Sequence, residues 1–126
     1  MGKTQLTFIR HGETEWNVAM RLQGMQNSNL TDKGLRQAAL AADALKDHVF
    51  DTLISSDLER AVRTAEILNR HHHLPLILDN RLRERNFGVM EGLTREEIEE
   101  NYPETFLGYM NRHDSFRIPE GESLCE

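Results

Sequence analysis

Arginine and histidine stand side by side near the start of the chain, in the pentapeptide Arg-His-Gly-Glu-Thr at residues 10–14. The imidazole of His11 titrates near neutral pH, so it can act as an uncharged nucleophile under physiological conditions. Twelve of the 15 basic residues are arginine, whose planar guanidinium suits bidentate recognition of phosphate or carboxylate. The pentapeptide alone is equally compatible with an ordinary strand-to-helix turn around a buried histidine, and a single arginine is most often a solvated surface charge.

Polar clusters follow three short apolar segments that we predict to be strands. The segments are residues 5–9, 52–55 and 76–78, and the clusters that follow them are Arg10-His11, Asp57 with Arg60, and Arg83-Glu84-Arg85. Helical patterns separate the segments, and this order predicts an α/β fold with a doubly wound, mostly parallel sheet flanked by helices. Ligands of such folds bind at the carboxyl ends of the strands, so the three clusters should meet at one edge of the sheet.

Four segments have the pattern of helices. In the first, Thr31 is the expected N-cap, and alanine and leucine recur at helical spacing. In the second, Ser56 and Asp57 are the expected caps, and in the third, Thr94 and Glu97 have the spacing of a capping box. The predicted helices are residues 31–48, 58–70, 94–101 and 103–112, and residues 115–123 are predicted to form a loop.

Size and composition restrict the classes of protein to which the chain can belong. At 126 residues, a single domain over 1–126 is expected. No apolar run approaches the roughly 18 residues that cross a bilayer, so no membrane partner is expected. The net charge of −6 disfavours a nucleic-acid partner, because such domains need excess positive charge. A cytoplasmic location is expected, since the N-terminus lacks a secretory pattern and the single cysteine cannot form an internal disulfide.

Three blocks of sequence, in order, carry a resemblance to a known family. They are Leu-Thr-Phe-Ile-Arg-His-Gly-Glu-Thr-x-Trp-Asn at 6–17, Ser-Ser-Asp-Leu-Glu-Arg-Ala-Val-Arg-Thr-Ala at 55–65, and Leu-Arg-Glu-Arg-Asn-Phe-Gly-Val-Met-Glu-Gly at 82–92. The turn Asn-Leu-Thr-Asp-Lys-Gly at 29–34 and the run Pro-Glu-Gly-Glu-Ser at 119–123 also agree. Over nearly its whole length the chain resembles the histidine phosphatase superfamily, which includes phosphoglycerate mutases and many small phosphatases.

The resemblance implies a role for each matching residue. His11 would attack phosphorus and form a phosphohistidine intermediate, which splits one difficult displacement into two easier ones. Glu84 would be the general acid that protonates the leaving alkoxide. The phosphate would be bound, without a metal ion or another cofactor, by Arg10, Asn17, Gly24 and Arg60.

Weaker expectations concern the rest of the substrate, and they fall on Thr14, Gln23, Arg85 and Arg95. Arg95 lies where mutases of the family place a basic residue, but it also lies inside the predicted capping box. For Glu84 the alternative is an ion pair with Arg83 or Arg85. Three other arginines are expected to be structural, namely Arg63, Arg81 and Arg83.

The three consecutive histidines at 71–73 raise the question of a metal site, because imidazole is a common ligand. Adjacent residues cannot all turn toward one ion, and no cysteine or acidic cluster with ligand spacing accompanies them. We therefore expect a polar helix end, where partly charged histidines interact favourably with the helix dipole.

The sequence departs from the family at one point. Family members carry a second catalytic histidine, usually in a His-Gly pair after a later buried strand, and no histidine of this chain has that context. The resemblance implies that such a segment follows the Gly-Glu-Ser run and supplies a central strand. The chain is therefore expected to be an N-terminal portion with an incomplete sheet, whose exposed edges and apolar surface favour intermolecular pairing.

These observations predict a phosphomonoesterase that acts on a small phosphorylated metabolite through a phosphohistidine on His11. A phosphatase is favoured over a mutase because the segment between Gly88 and Gly121 is short and acidic, whereas the bisphosphoglycerate-dependent mutases carry a longer, basic insertion there. Two alternatives are a cofactor-dependent phosphoglycerate mutase and a truncated, non-catalytic module that binds phospholigands. The expected partner is a small phosphate ester, and a homo-oligomer is compatible with the sequence.

Overall fold

Five α-helices and two β-strands make up the regular structure of residues 2–126, the part of the chain that this computed structural model describes. They are α1 (Glu15–Val18), α2 (Asp32–Leu45), β1 (Leu53–Ser55), α3 (Glu59–Leu68), β2 (Leu76–Leu78), α4 (Arg95–Asn101) and α5 (Pro103–Met110). Residues 115–123 contain no helix or strand, as predicted. None of the helices in residues 2–126 is long and apolar enough to cross a membrane.

β1 and β2 form a parallel pair, in which Leu53 lies opposite Leu76 and Ser55 lies opposite Leu78. Parallel strands need a crossover connection, and α3 provides it while packing against both strands. The two strands predicted at 52–55 and 76–78 are thus confirmed, together with the α/β organisation of this part of the chain.

The strand predicted at residues 5–9 is wrong for the structure described here. Residues 2–10 are irregular and form no ladder with β1 or β2, which pair only with each other. A β-prone composition produces a strand only where a neighbouring strand supplies backbone hydrogen bonds, and no such neighbour lies beside this segment. Leu6 and Phe8 are accordingly 71% and 86% exposed.

The N-caps predicted for two helices are confirmed. Thr31 Oγ1 accepts a hydrogen bond from the N–H of Gly34 at 3.0 Å and caps α2. Thr94 and Glu97 form the reciprocal capping box at the start of α4. Both caps satisfy N–H groups that the first helical turn leaves without a partner, which fixes where each helix begins.

The caps predicted for α3 differ from those observed. The helix begins after Leu58, which has no side-chain cap. Ser56 Oγ accepts from the N–H of Leu58 at 3.2 Å, outside the helix. Asp57 does not cap the helix because its carboxylate binds the guanidinium of Arg83, beyond the end of β2. This ion pair links the segment that follows β1 to the segment that follows β2.

The apolar core lies in the C-terminal half of the chain. Met90 and Ile118 are fully buried, and Ile98 of α4 and Phe106 of α5 complete the cluster. Partly buried side chains surround it, namely Leu22, Phe87, Val89, Leu93, Tyr109 and Phe116. A second contact, between α2 and α3, buries three small residues, Ala38, Ala42 and Ala65. The first cluster includes Phe87 and Met90, which follow Glu84 in sequence, and the second packs α2 against α3, the helix that bears Arg60.

Candidate functional site

His11 lies half-buried in the turn that precedes α1. Its Nδ1 is 2.7 Å from the carbonyl oxygen of Gly12, which can only accept, so Nδ1 donates and the lone pair is on Nε2. Burial lowers the pKa of His11; the Gly12 carbonyl and Glu84 oppose this effect, whereas Arg60 and Arg10 add to it. The uncharged imidazole therefore persists to a lower pH than in an exposed histidine.

The turn around His11 is fixed between α2 and α3. The N–H of Gly12 donates to Thr64 Oγ1 at 3.2 Å, and the Thr64 hydroxyl donates to the carbonyl of Arg60 at 2.8 Å. A Cβ at Gly12 would collide with the carbonyl oxygen of Gly34 in α2. Glycine at this position therefore permits the close approach of the turn to the helix.

Arg60 lies close enough to influence His11 and is only 3% exposed. Its guanidinium donates to the carbonyl oxygens of Gly24 and Gln26, each at 2.6 Å. Burial lowers the pKa of Arg60, while Glu84 and Glu91 raise it. Within residues 2–126 the guanidinium forms no salt bridge, so its charge can stabilise an anion at this place.

The start of α1 involves three of the predicted site residues. Thr14 is 0% exposed; its hydroxyl donates to Gln23 Oε1 at 2.9 Å and accepts from the N–H of Asn17 at 3.2 Å. Asn17 Oδ1 accepts in turn from the N–H of Thr14 at 2.9 Å. The Nδ2 group of Asn17 has no partner within residues 2–126, and Asn17 lines a cavity of about 550 Å³ with Arg10 and His11.

Glu84 and Arg85 lie in the irregular segment that follows β2. Glu84 Oε1 accepts from the backbone N–H of Arg85 at 2.8 Å. The alternative ion pair with Arg83 is not formed, because Arg83 binds Asp57 through two hydrogen bonds of 2.6 and 2.5 Å. The charge of Glu84 acts on the pKa of both His11 and Arg60. The polar clusters after the strands therefore lie near one another, even though the first strand is absent.

The remaining predicted arginines are occupied by an aromatic ring or by a carboxylate. The guanidinium of Arg95 lies 5.4 Å from the ring centre of Phe106, and Arg95 lines neither the cavity at His11 nor the one at Glu84. The three arginines expected to be structural each pair with a carboxylate: Arg63 with Glu66, Arg81 with Asp79, and Arg83 with Asp57.

Sequence reasoning missed two residues that hold the site together. Thr64 follows Arg60 by four residues in α3, a spacing that places both on one helix face and could have indicated their contact. Glu91 Oε1 accepts from the backbone N–H groups of Met25 and Phe87, at 2.9 and 3.1 Å. The bond from Met25 joins residues that are far apart in sequence, and no local pattern predicts it. It connects the loop containing Gly24 to the segment that bears Glu84.

The histidines at 71–73 lie beyond the end of α3: His71 is the last residue of the short 3-10 helix Asn69–His71, and the other two follow it. His71 Nε2 is 3.1 Å from Asp43 Oδ1, and Arg70 binds the same oxygen at 2.6 Å. Across residues 2–126, no three His, Cys, Asp or Glu side chains are arranged so that they could hold a metal ion.

Comparison with known proteins gives a family and several relatives. The family model "Histidine phosphatase superfamily (branch 1)" matches residues 6–126. The "Probable phosphoglycerate mutase GpmB" of Yersinia pestis is 40% identical over 122 residues, which are 97% of this chain and 57% of that protein.

Two phosphatases of known structure share the fold. The alpha-ribazole phosphatase from Shigella flexneri is 32% identical with a TM-score of 0.87, and the match covers 93% of this chain and 58% of that one. The mycobacterial glucosyl-3-phosphoglycerate phosphatase, solved with VO3, is 38% identical with a TM-score of 0.78, and the match covers 90% and 54%. The chain thus spans little more than half the length of these relatives.

Proposed function

The chain belongs to the histidine phosphatase superfamily (branch 1), and on that basis we propose that it bears the nucleophile and phosphate site of an enzyme that hydrolyses phosphomonoesters of small metabolites. The observation that carries the proposal is the environment of His11. Its Nδ1 donates to the Gly12 carbonyl, its pKa is lowered by burial, and two arginines, Arg10 and Arg60, lie close enough to influence it.

In the first half of the proposed reaction, Nε2 of His11 attacks phosphorus and the bond between phosphorus and the ester oxygen breaks. The phosphoryl group is transferred to His11, and the departing alkoxide takes a proton from the carboxyl of Glu84. Arg10, Arg60 and the Nδ2 group of Asn17 stabilise the charge on the phosphoryl oxygens. The Gly24 loop contributes by holding Arg60 through its carbonyl.

In the second half, water attacks the phosphohistidine. The Glu84 carboxylate, which lost its proton in the first step, accepts a proton from that water, and the bond between phosphorus and Nε2 breaks. Inorganic phosphate leaves, and both His11 and Glu84 return to their starting states. The cycle needs no redox partner and balances as hydrolysis of one ester bond.

For the weaker substrate contacts, the proposal differs from residue to residue. Arg85 is a direct contact, since it lines the cavity at Glu84. Thr14 and Gln23 act indirectly, because their side chains bind each other and keep Asn17 in place. For Arg95 a substrate contact remains a prediction, and its observed partner is Phe106.

Turnover of para-nitrophenyl phosphate tests the proposal. We expect the 126-residue chain to release nitrophenolate and His11→Asn to lower the rate by about 10³-fold or more. His48→Asn, which alters a histidine stacked on Phe50 outside the site, is the matched control and should keep the rate. Undiminished turnover by His11→Asn would refute the assignment. Absence of turnover in the unaltered chain would instead support the non-catalytic module that binds phospholigands.

A second candidate activity is phosphoglycerate mutase. It is favoured by the relative from Yersinia pestis, 40% identical, which bears that name. A cofactor-dependent mutase transfers the phosphoryl group from the histidine to a free hydroxyl of a bound phosphoglycerate, whereas a phosphatase transfers it to water. Interconversion of 2- and 3-phosphoglycerate without net phosphate release would decide for the mutase, and release of inorganic phosphate would decide against it.

The proposal extends to location and partners. The net charge of −6 supports a protein without nucleic-acid partners, and the free Cys125 supports a reducing compartment such as the cytoplasm. We propose that residues 1–126 act within one domain. The exposed apolar side chains of Phe8, Ile54 and Ile77 support association between copies of the chain.

A further inference from the structure

The peptide group that joins Gly24 to Met25 (the 24–25 peptide) lies between two side chains of opposite charge. Its carbonyl oxygen accepts a hydrogen bond from Nη2 of Arg60 at 2.6 Å, and its N–H donates to Oε1 of Glu91 at 2.9 Å. A peptide group is planar, so its N–H and its carbonyl turn together. The carboxylate of Glu91 therefore fixes the direction in which the carbonyl faces Arg60.

The two hydrogen bonds of the 24–25 peptide strengthen each other. A carboxylate at the N–H polarises the peptide and increases the negative charge on its carbonyl oxygen, which binds a guanidinium more strongly as a result. Arg60 is buried and Glu91 is partly buried, so water weakens these bonds little. Across residues 2–126, Glu91 pairs with no cationic side chain, and its carboxylate binds backbone N–H groups instead.

Glycine at position 24 makes the orientation of this peptide depend on Glu91. Gly24 has φ +54°, and a residue without a Cβ allows the adjoining peptide more than one orientation at little cost. A Cβ at Gly24 would also collide with Oε1 of Glu91. The carboxylate can therefore reach the N–H of Met25 only because residue 24 has no side chain, and it selects one orientation of a peptide that is otherwise free to turn.

The same carboxylate oxygen also binds the segment that carries the proposed general acid. Oε1 of Glu91 accepts from the N–H of Phe87 at 3.1 Å, and Phe87 follows Glu84 by three residues. The N–H of Gly92 donates to the carbonyl of Leu22 at 2.7 Å, which brings the two segments side by side. One oxygen atom is thus bonded both to the loop that holds the phosphate-binding arginine and to the segment that bears the acid.

We infer that Glu91 is a positioning residue for Arg60: it fixes the 24–25 peptide in the orientation whose carbonyl holds the guanidinium at the phosphate site. The inference rests on the proposed function, because it assumes that Arg60 binds the phosphoryl group. Glu91 lines neither the cavity at His11 nor the one at Glu84. It therefore acts through the peptide and not by contact with the substrate.

Two uncharged variants of the 126-residue chain test this inference. Glu91→Gln and Glu91→Met remove the same charge and have side chains of similar length, but only glutamine keeps an oxygen that can accept from the N–H of Met25. We expect Glu91→Met to bind inorganic phosphate about tenfold more weakly than Glu91→Gln in calorimetry, because Arg60 loses its fixed orientation. Equal affinities in the two variants, with phosphate bound by the unaltered chain, would overturn the inference and leave the proposed function intact.

Two control variants separate positioning from stability and from charge. Ile98→Val loosens the apolar core and lowers the melting temperature without altering a bond of the 24–25 peptide. Glu99→Met removes an exposed carboxylate of α4. Both should bind inorganic phosphate as tightly as the unaltered chain does. If Ile98→Val weakened phosphate binding as much as Glu91→Met at a similar melting temperature, general loss of stability would explain the effect and the inference would be wrong.

NMR of the chain without phosphate separates the inference from the proposed function. In Glu91→Met, hydrogen exchange at the N–H of Met25 should be about tenfold or more faster than in Glu91→Gln. The carbonyl carbon resonance of Gly24 should shift in the same variant, because its bond to Arg60 depends on the orientation of the peptide. Equal exchange rates and an unshifted carbonyl would overturn the inference whether or not phosphate binds. If the unaltered chain fails to bind inorganic phosphate, the proposed function fails, whereas faster exchange with a shifted carbonyl would still support the link from Glu91 to Arg60.

Discussion

The reactivity proposed for His11 arises from its immediate surroundings. The Gly12 carbonyl fixes the proton on Nδ1, and this leaves a lone pair on Nε2. Burial lowers the pKa of the ring, which keeps it uncharged in the pH range where a free histidine begins to protonate. Nearby charges modulate this effect in opposite directions, and that opposition can be tested.

Two substitutions should move the pKa of His11 in opposite directions. Arg10→Gln removes a positive charge that disfavours the imidazolium, so the pKa should rise; Glu84→Gln removes a negative charge that favours it, so the pKa should fall. The ring proton resonances of His11, followed by NMR as the pH is varied, report both changes. Arg36→Gln, a charge removed at a distance, should leave the titration unmoved. Shifts of the same sign in both variants would contradict the electrostatic account.

The role of Glu84 should depend on the leaving group. Glycerol 3-phosphate releases a basic alkoxide that needs a proton, whereas para-nitrophenyl phosphate releases a stable phenolate. We expect Glu84→Gln to slow phosphate release from the alkyl ester by about 10²-fold or more and to change release from the aryl ester far less. Initial rates on the two esters check this. An equal loss on both would exclude Glu84 as the general acid.

Among the structural elements, the helix caps could be predicted from the sequence, whereas contacts between residues far apart in sequence could not. The caps at Thr31 and Thr94 follow from side chains that bond to N–H groups three residues away, so sequence order alone reveals them. The pairing of Asp57 with Arg83 joins residues that are remote in sequence. The failed strand at residues 5–9 has the same cause, because a strand depends on a partner that its own sequence does not specify.

In the candidate site, too, the motif residues could be predicted from the sequence and the bonds between the motifs could not. His11, Arg60 and Glu84 lie in blocks of residues that could be matched to a family motif by motif. The bonds that hold these blocks together come from backbone carbonyls and from Thr64 and Glu91. Backbone carbonyls carry no sequence signature, so their contribution to the site could be found only in the structure.

Thr64 should support the His11 turn from within α3. Thr64→Val keeps the shape of the side chain but leaves the N–H of Gly12 without its acceptor, and an unsatisfied buried donor costs about 1–3 kcal/mol of stability. Thr52→Val, at an exposed position before β1, is the matched control. Urea unfolding of both variants measures the difference. Equal free energies of unfolding would show that the Gly12 bond does not stabilise the turn.

For the molecule as a whole, the main exposed feature is an apolar area on the two-stranded sheet. Ile54 and Ile77 are directly paired across the sheet and are 52% and 49% exposed, so they form a joint apolar area on one face. The acidic residues are denser in the C-terminal part of the sequence, where residues 91–126 contain 10 of the 21.

This surface predicts self-association. The sedimentation coefficient of the chain should rise with concentration, because burying the paired isoleucines removes apolar area from water. The double substitution Ile54→Ser with Ile77→Ser should abolish the rise. Val49→Ser, at a position that is 92% exposed and outside the strands, should preserve it. A sedimentation coefficient independent of concentration, or insensitive to the double substitution, would refute association through this face.

Trapping the covalent intermediate would show whether His11 carries the phosphoryl group. The chain is quenched in alkali during turnover of para-nitrophenyl phosphate, and the modified residue is located by mass spectrometry. We expect one phosphoryl group on His11, which is lost on acid treatment and is absent from His11→Asn. An acid-stable phosphoryl group on another residue, or turnover that proceeds without any phosphorylated chain, would contradict this expectation.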